Sequence, residues 1–138
     1  MSLEKIYYKV TDGYAPNKML LQLFKENHSL NVSSAMDIGC GAGRDTCFLI
    51  KRGAKVVAID KENTKEIIIN KLSEDELGRL EFVQGDILNY NFKKYDLINA
   101  MNSLSFVSKE DFNKVWERIT NSINKEGYFI RKLFWQKR

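Results

Sequence analysis

The sequence has few of the residues that build disulfide frameworks and metal centres. It contains two cysteines, Cys40 and Cys47, and one histidine, His28. Two cysteines are too few for a disulfide framework, and their spacing is not that of a metal-ligand pair. A single histidine argues against a zinc site and against a Ser-His-Asp triad. We therefore expect no bound metal, and we interpret both cysteines as small structural residues.

Long apolar runs are missing as well. No run approaches the roughly 18 residues that a membrane-spanning helix needs. The segment from Met1 to Val10 is interrupted by Glu4 and Lys5, so it does not have the pattern of a secretory signal. Together with the low cysteine content, this pattern predicts a cytoplasmic protein without a membrane partner.

The basic residues do not form a strongly charged cluster in the sequence. The chain has 22 basic and 18 acidic residues, which gives a net charge of +4, and its basic residues are scattered. Nucleic-acid binding would call for a clustered basic surface, so nucleic acid is not favoured as a partner. The chain has 138 residues, 43% of them hydrophobic. This predicts one domain over residues 1–138 with a substantial core.

Helical and strand patterns alternate along the chain. We predict strands over 33–38, 55–60, 80–84, 95–99 and 128–135, and helices from Pro16 and Asn17, over 43–51, from Asn63 and from Ser108. This order predicts an open, doubly wound, mostly parallel α/β sheet of about five strands. In such sheets the ligand binds at the carboxyl ends of the strands.

The first predicted strand runs into a glycine-rich turn. Glycines occupy positions 39, 41 and 43, after Asp37 and before a helical pattern. Such a turn lets a ligand approach bare backbone at a helix N-terminus, which predicts a nucleotide-like ligand. Three further polar residues, Asp60, Asp86 and Asn99, stand at or just after the next three strand ends. They would line the same crevice.

The spacing of the glycines separates two ligand classes. The nicotinamide motif G-x-G-x-x-G would place its third glycine at position 44, where this chain has Arg44. A nicotinamide-dependent oxidoreductase is therefore disfavoured. The D-x-G-x-G-x-G pattern, with Asp60 and Gly85-Asp86 following in order, resembles the class I S-adenosylmethionine-dependent methyltransferases. The resemblance runs from about Ala35 to Trp135. Within the superfamily, the sequence is similar to the small-molecule and tellurite-resistance-type branch.

The resemblance implies a role for each motif. The glycines would contact the methionine part of S-adenosylmethionine, Asp37 its ammonium and Arg44 its carboxylate. Asp60 would bind the ribose hydroxyls and Asp86 the adenine, although each of these acids is by itself also typical of a cap or turn. The implied cofactor site comprises Asp37, Gly39, Cys40, Gly41, Gly43, Arg44, Asp60, Lys61, Gly85, Asp86, Ile87, Asn99, Ala100 and Tyr14. No catalytic base is implied, because the sulfonium is already an activated leaving group.

The acceptor and the C-terminal part of the sheet are less defined. After the fourth strand the chain reads Asn99-Ala100-Met101-Asn102-Ser103, without an Asn/Asp-Pro-Pro-Tyr box. The resemblance then implies a small-molecule acceptor. We expect the antiparallel hairpin that usually completes the family's sheet to be absent. This keeps open a cofactor-binding domain without independent activity. The predicted fifth strand, 128–135, would then be an open edge available for a homodimer, unless Arg131 and Lys132 blunt it.

Overall fold

The computed structural model describes residues 15–101, 107–131 and 134–137. The strands are β1 Ser34–Ile38, β2 Lys55–Asp60, β3 Leu80–Gln84, β4 Tyr95–Ala100, β5 Ile123–Arg131 and β6 Phe134–Lys137. The helices are α1 Lys18–Glu26, α2 Arg44–Lys51, α3 Lys65–Ile69, α4 Glu74–Leu77 and α5 Lys109–Ser122, with a 3-10 turn at Ile87–Asn89. These elements alternate along the chain, as the sequence predicts.

All six strands form one sheet in the order β3-β2-β1-β4-β5-β6. The first five are parallel, and β6 is antiparallel to β5. The predicted doubly wound, mostly parallel sheet is thereby confirmed. Because β1 and β4 are neighbours, the chain winds outward from them in both directions. The carboxyl ends of β1 and β4 are therefore the switch point at which ligands of such sheets bind.

Alternating residues of β1 supply the two faces of the core. Ala35 packs with the apolar faces of α1 and α2, whereas Met36 packs on the face covered by α5. Both faces of a parallel sheet are covered, so the middle of the strand is apolar, and its buried acid, Asp37, lies near the carboxyl end. The fully buried side chains of the two layers include Leu20, Leu23, Leu49 and Ile50 on one face, and Ile98, Val115 and Ile119 on the other.

Side-chain caps start several helices. Asn17 Oδ1 accepts from the Leu20 N–H at 2.8 Å, so α1 begins where the sequence predicts. The helix predicted from Asn63 begins one residue later, after Thr64, and ends at Ile69. The short helix α4 was not predicted, although Ser73 and Glu76 form a reciprocal capping box there.

The fifth strand differs from its prediction. It begins at Ile123, directly after α5, but its regular pairing with β4 resumes at Tyr128, the predicted first residue, so Gly127 lies at the irregularity just before it. The register with β4 shifts between Tyr95 and Leu97. A Cβ on Gly127 would lie 2.7 Å from the Asn124 carbonyl oxygen. Glycine is needed here because backbone approaches backbone at an irregular point of the strand.

The predicted single strand over 128–135 is wrong, because this stretch belongs to two strands. Arg131 pairs with Phe134 and Ile130 with Trp135 in antiparallel register. Strand β5 therefore has β6 as a neighbour and is not an open edge, and an antiparallel strand that we expected to be absent is present. Arg131 and Lys132 interrupt the apolar run here, but a basic pair is equally compatible with a blunted strand edge, so the pattern alone does not reveal the second strand.

We predict that Gly43→Ala destabilises the fold more than Gly53→Ala. Both glycines have left-handed backbones, with φ of 82° and 94°, so each alanine costs about 1–2 kcal/mol. A Cβ at position 43 would also lie 2.5 Å from Ile68 Cγ1, whereas one at Gly53 meets nothing within 4 Å. Urea unfolding of both variants measures the difference. Equal losses of the free energy of unfolding would contradict the contact with Ile68.

Candidate functional site

The glycine turn, residues 39–43, joins β1 to α2. Gly39, Gly41 and Gly43 all have positive φ, at 69°, 53° and 82°. Only glycine adopts this conformation at little cost, which explains its use at every second position. The N–H groups of Gly39 and Cys40 both donate to the Ile59 carbonyl oxygen, at 2.8 and 3.1 Å. The end of β2 thus holds the turn in place.

Asp60 connects the end of β2 to the glycine turn through its side chain. It is 6% exposed, and its Oδ2 accepts from the Gly41 N–H at 2.9 Å. Its Oδ1 accepts from the Glu62 N–H at 2.9 Å. Asp60 therefore has the structural function of a strand-end acid, and its negative charge lies directly at the turn.

Asp37 lies in a buried network with Thr46 and Asn99. One oxygen of Asp37 accepts from Thr46 Oγ1 at 2.6 Å, and the other accepts from Asn99 Nδ2 at 3.0 Å. Asn99 Nδ2 also donates to Asp45 Oδ2 at 2.9 Å. One amide thus joins two carboxylates, and the ends of β1 and β4 are connected to the first turn of α2.

Asp45 is not among the predicted site residues, yet its carboxylate connects this network to α1. Besides the bond from Asn99, its carboxylate accepts from the backbone N–H of Asn17 at 2.9 Å and from the Asn17 side-chain amide. Asn17 lies 28 positions earlier and caps α1. The local signal at Asp45 is an acid in the first turn of a helix, which is explained by the helix dipole alone.

Burial of these groups changes their proton affinities. Burial raises the pKa of Asp37 to about 7, and the like charges of Asp45 and Asp60 add to the rise. Hydrogen bonds from Thr46 and Asn99 act in the opposite direction. Burial, with Asp37 and Asp60 nearby, also raises the pKa of the Cys40 thiol well above its ordinary value. A neutral, buried thiol is a structural group and a poor nucleophile.

The end of β3 reaches the same edge of the sheet. The Gly85 N–H donates to the Asp60 carbonyl oxygen at 2.9 Å. Asp86 Oδ1 accepts from the Leu88 N–H at 2.9 Å, which starts the 3-10 turn. Lys61 Nζ lies 3.8 Å from Asp86 Oδ2. Asp86 is therefore a turn residue that forms an ion pair with Lys61 at the strand ends.

The fold brings together the predicted residues that the structure describes. They lie in the glycine turn, at the ends of β1, β2 and β4, or directly after β2 and β3, and Arg44 is the first residue of α2. Tyr14 lies outside the described residues. The contact of each residue with a ligand stays a prediction.

Cavities at the opposite edge belong to a different part of the molecule. One, of about 390 Å³, is lined by Phe24, Phe48 and Arg52, and residues before β1 and β2 complete it. The Arg52 guanidinium lies 3.8 Å from the centroid of the Phe48 ring. This arginine covers an aromatic pair at the amino ends of the strands, away from the glycine turn.

The described residues contain neither a metal-binding cluster nor a membrane-spanning helix. In residues 15–101, 107–131 and 134–137, no three His, Cys, Asp or Glu side chains are grouped to hold a metal ion. Within the same ranges, the helices are too short or too polar to cross a membrane.

An open α/β sheet with a glycine turn at its switch point and an acid at the next strand end defines a class of nucleotide-cofactor domains. Comparison with known proteins narrows this class. The sequence model of a family described as methyltransferase domain matches residues 35–127. The chain belongs to this family.

Curated relatives carry the same domain within longer proteins. The chain is 35% identical over 81 residues to a magnesium-protoporphyrin O-methyltransferase of Rhodobacter capsulatus, covering 58% of this chain and 36% of the relative. It is 24% identical over 139 residues to a malonyl-[acyl-carrier protein] O-methyltransferase of Calditerrivibrio nitroreducens, covering 93% and 52%. The chain thus spans about a third to a half of the length of these relatives.

Solved structures share the fold at low sequence identity. TehB from Haemophilus influenzae superposes with a TM-score of 0.72 at 22% identity, covering 93% of this chain and 44% of that one. The N-methyltransferase NodS from Bradyrhizobium japonicum, solved with S-adenosylhomocysteine, gives 0.67 at 16% identity, covering 94% and 72%. These likenesses show a common sheet architecture.

We predict that Asp37→Asn changes how stability depends on pH. The pKa of Asp37 rises from 3.8 to about 7 on folding, so the folded state binds more protons between these values. The contribution of Asp37 to the free energy of unfolding therefore falls as pH rises through this window, and it levels off above it. Urea unfolding of both proteins from about pH 4.5 to pH 8 tests this. Parallel curves across the window would contradict the raised pKa.

Proposed function

We propose that the chain binds S-adenosylmethionine at the carboxyl edge of the sheet and transfers its methyl group to a small-molecule acceptor. The observation that carries the proposal is the glycine turn, which the Asp60 carboxylate holds in a chain of the methyltransferase-domain family. The cytoplasmic location and the extent of the domain over residues 1–138 remain predictions.

The charges around the turn suit a cationic ligand. Asp37, Asp45 and Asp60 lie close enough at this edge for the two other acids to raise the pKa of Asp37. S-adenosylmethionine carries a sulfonium and an ammonium, which acids attract. A dinucleotide would bring its anionic pyrophosphate to the start of α2, where Asp45 stands in the first turn. The acids therefore favour S-adenosylmethionine over nicotinamide dinucleotides.

Each cofactor group has a candidate partner in the described residues. The backbone of the glycine turn would receive the amino-acid part, and Asp60 would bind the ribose hydroxyls. Asp86 would accept from the adenine amino group beside Ile87, which is 8% exposed. Lys61 and Ala100 would border the adenosine, and Arg44 would pair with the cofactor carboxylate.

Methyl transfer from a sulfonium requires no catalytic base from the protein. When bound, the cofactor supplies a methyl group on a positively charged sulfur. The protein then has to align an acceptor nucleophile with that methyl group and keep water out. No base is assigned for this reason.

The proposal includes a small-molecule acceptor and a homodimer. The absence of an Asn/Asp-Pro-Pro-Tyr box after β4 supports a small molecule, of the kind used by the small-molecule and tellurite-resistance-type branch. A homodimer through the C-terminal edge would now involve β6, because β5 is already paired. Cofactor binding without turnover on any acceptor would favour the alternative, a binding domain without its own activity.

We predict that the chain binds S-adenosylmethionine and S-adenosylhomocysteine more tightly than NAD. The glycine spacing and the buried acids are the physical reasons. Titration calorimetry with the three ligands measures the order of affinities. Tighter binding of NAD would refute the proposed cofactor.

We predict that Asp60→Asn weakens S-adenosylmethionine binding by about 1.5–3 kcal/mol, roughly 10- to 150-fold, because charged hydrogen bonds to the ribose are lost. Asp75→Asn is the matched control, since Asp75 has a 91% exposed side chain in α4. Calorimetry gives the affinities, and thermal melting checks folding because Asp60 also holds Gly41. Unchanged affinity with reduced stability would make Asp60 purely structural.

A further inference from the structure

The contacts of the Asn99 side-chain amide fix which way it faces. Its nitrogen donates to Asp37 Oδ1 at 3.0 Å and to Asp45 Oδ2 at 2.9 Å. An amide nitrogen has two N–H donors, and here each finds a carboxylate. The reversed amide would place its oxygen against two acceptors. The nitrogen therefore faces the acids, and the carbonyl oxygen points away from them.

That carbonyl oxygen lacks a partner among residues 15–101, 107–131 and 134–137. It is buried, and Asn99 as a whole is only 1% exposed. Buried polar atoms in proteins are nearly always hydrogen-bonded, so an unpaired one calls for an explanation. Asn99 pairs with Asp37 across the β4–β1 boundary, which is the switch point of the sheet. The unpaired acceptor thus lies where a ligand is expected.

We propose that Asn99 Oδ1 accepts a hydrogen bond from the ammonium group of the cofactor's amino-acid end, and that Asp45 is the positioning residue that aims it. This inference rests on the proposed function. The donor is cationic because three acids, Asp37, Asp45 and Asp60, surround this end of the sheet. Asp37 Oδ1 accepts from the Asn99 nitrogen, so its negative charge strengthens the amide dipole whose oxygen meets the ammonium.

Asp45 can position Asn99 because it is itself immobilised. The Asn17 backbone N–H and side-chain amide hold its carboxylate at the start of α1. The remaining bond of Asp45 fixes the Asn99 nitrogen. Replacing this acid would release one of the two contacts that orient the amide.

Comparing the affinities of two ligands distinguishes ammonium binding by Asn99 from a purely structural role of this residue. S-adenosylhomocysteine contains the ammonium, whereas 5′-methylthioadenosine has the same adenosine and sulfur without the amino acid. For Asn99→Ala, calorimetry should show S-adenosylhomocysteine affinity reduced at least about tenfold and methylthioadenosine affinity within about twofold of wild type. Asp45→Asn should shift the ratio of the two affinities in the same direction by a smaller factor.

Asn124→Ala is the matched control. Asn124 Nδ2 donates to Asp96 Oδ1 at 2.9 Å near the amino end of β4, so the variant removes a similar Asn–Asp bond away from the switch point. It should leave both affinities unchanged. If thermal melting shows that Asn99→Ala does not fold, the ratio of the two ligand affinities in Asp45→Asn is used as the test instead.

The outcomes are distinct. Equal weakening of both ligands, or no weakening of S-adenosylhomocysteine, would overturn the role of Asn99. Selective loss for Asn124→Ala would overturn it too. Failure of the wild-type chain to bind either ligand would reject the proposed function itself, and this inference with it.

Discussion

The carboxyl edge of the sheet depends on one amide placed between two carboxylates. Asp37 is buried and Asp45 half-buried, and neighbouring acids in such places are costly unless polar partners satisfy them. Asn99 supplies a donor to each, at 3.0 and 2.9 Å. Through these contacts β1, β4 and α2 meet at a defined geometry, and Asn17 adds the start of α1. The glycine turn rests against this assembly, so its position follows from charge pairing as much as from its own backbone.

Much of this arrangement could be predicted from the sequence where local chemistry determines it. The strands β2 and β3 have the predicted bounds, because each is a short run rich in apolar residues that ends in a polar residue. The positive φ of Gly39, Gly41 and Gly43 explains why those positions require glycine. Since the carboxyl ends of parallel strands share one edge, Asp37, Asp60 and Asn99 could be placed together before any contact was known.

The remaining features depend on partners that are distant in sequence. Asp45 looks like an ordinary acid at a helix start, and only the fold brings it to Asn17 and Asn99, which lie 28 and 54 positions away. The pairing of Arg131 with Phe134 was missed because the basic pair Arg131-Lys132 is as compatible with a blunted strand edge as with a break between two strands. The need for glycine at position 127 was not visible either, since one of the backbone oxygens that exclude a Cβ there belongs to Asp96 on β4.

The bond between Asp60 and Gly41 has a consequence for redesigning ligand preference. Exchanging the acid at the end of the second strand is the obvious way to change which sugar a domain of this type accepts. Here the same carboxylate accepts from the Gly41 N–H at 2.9 Å, so the residue proposed to bind the ribose also holds the glycine turn. A substitution at Asp60 would also remove the acceptor of the Gly41 N–H and so loosen the glycine turn. Engineering a new preference at this position therefore requires a compensating acceptor for the Gly41 N–H in the same variant.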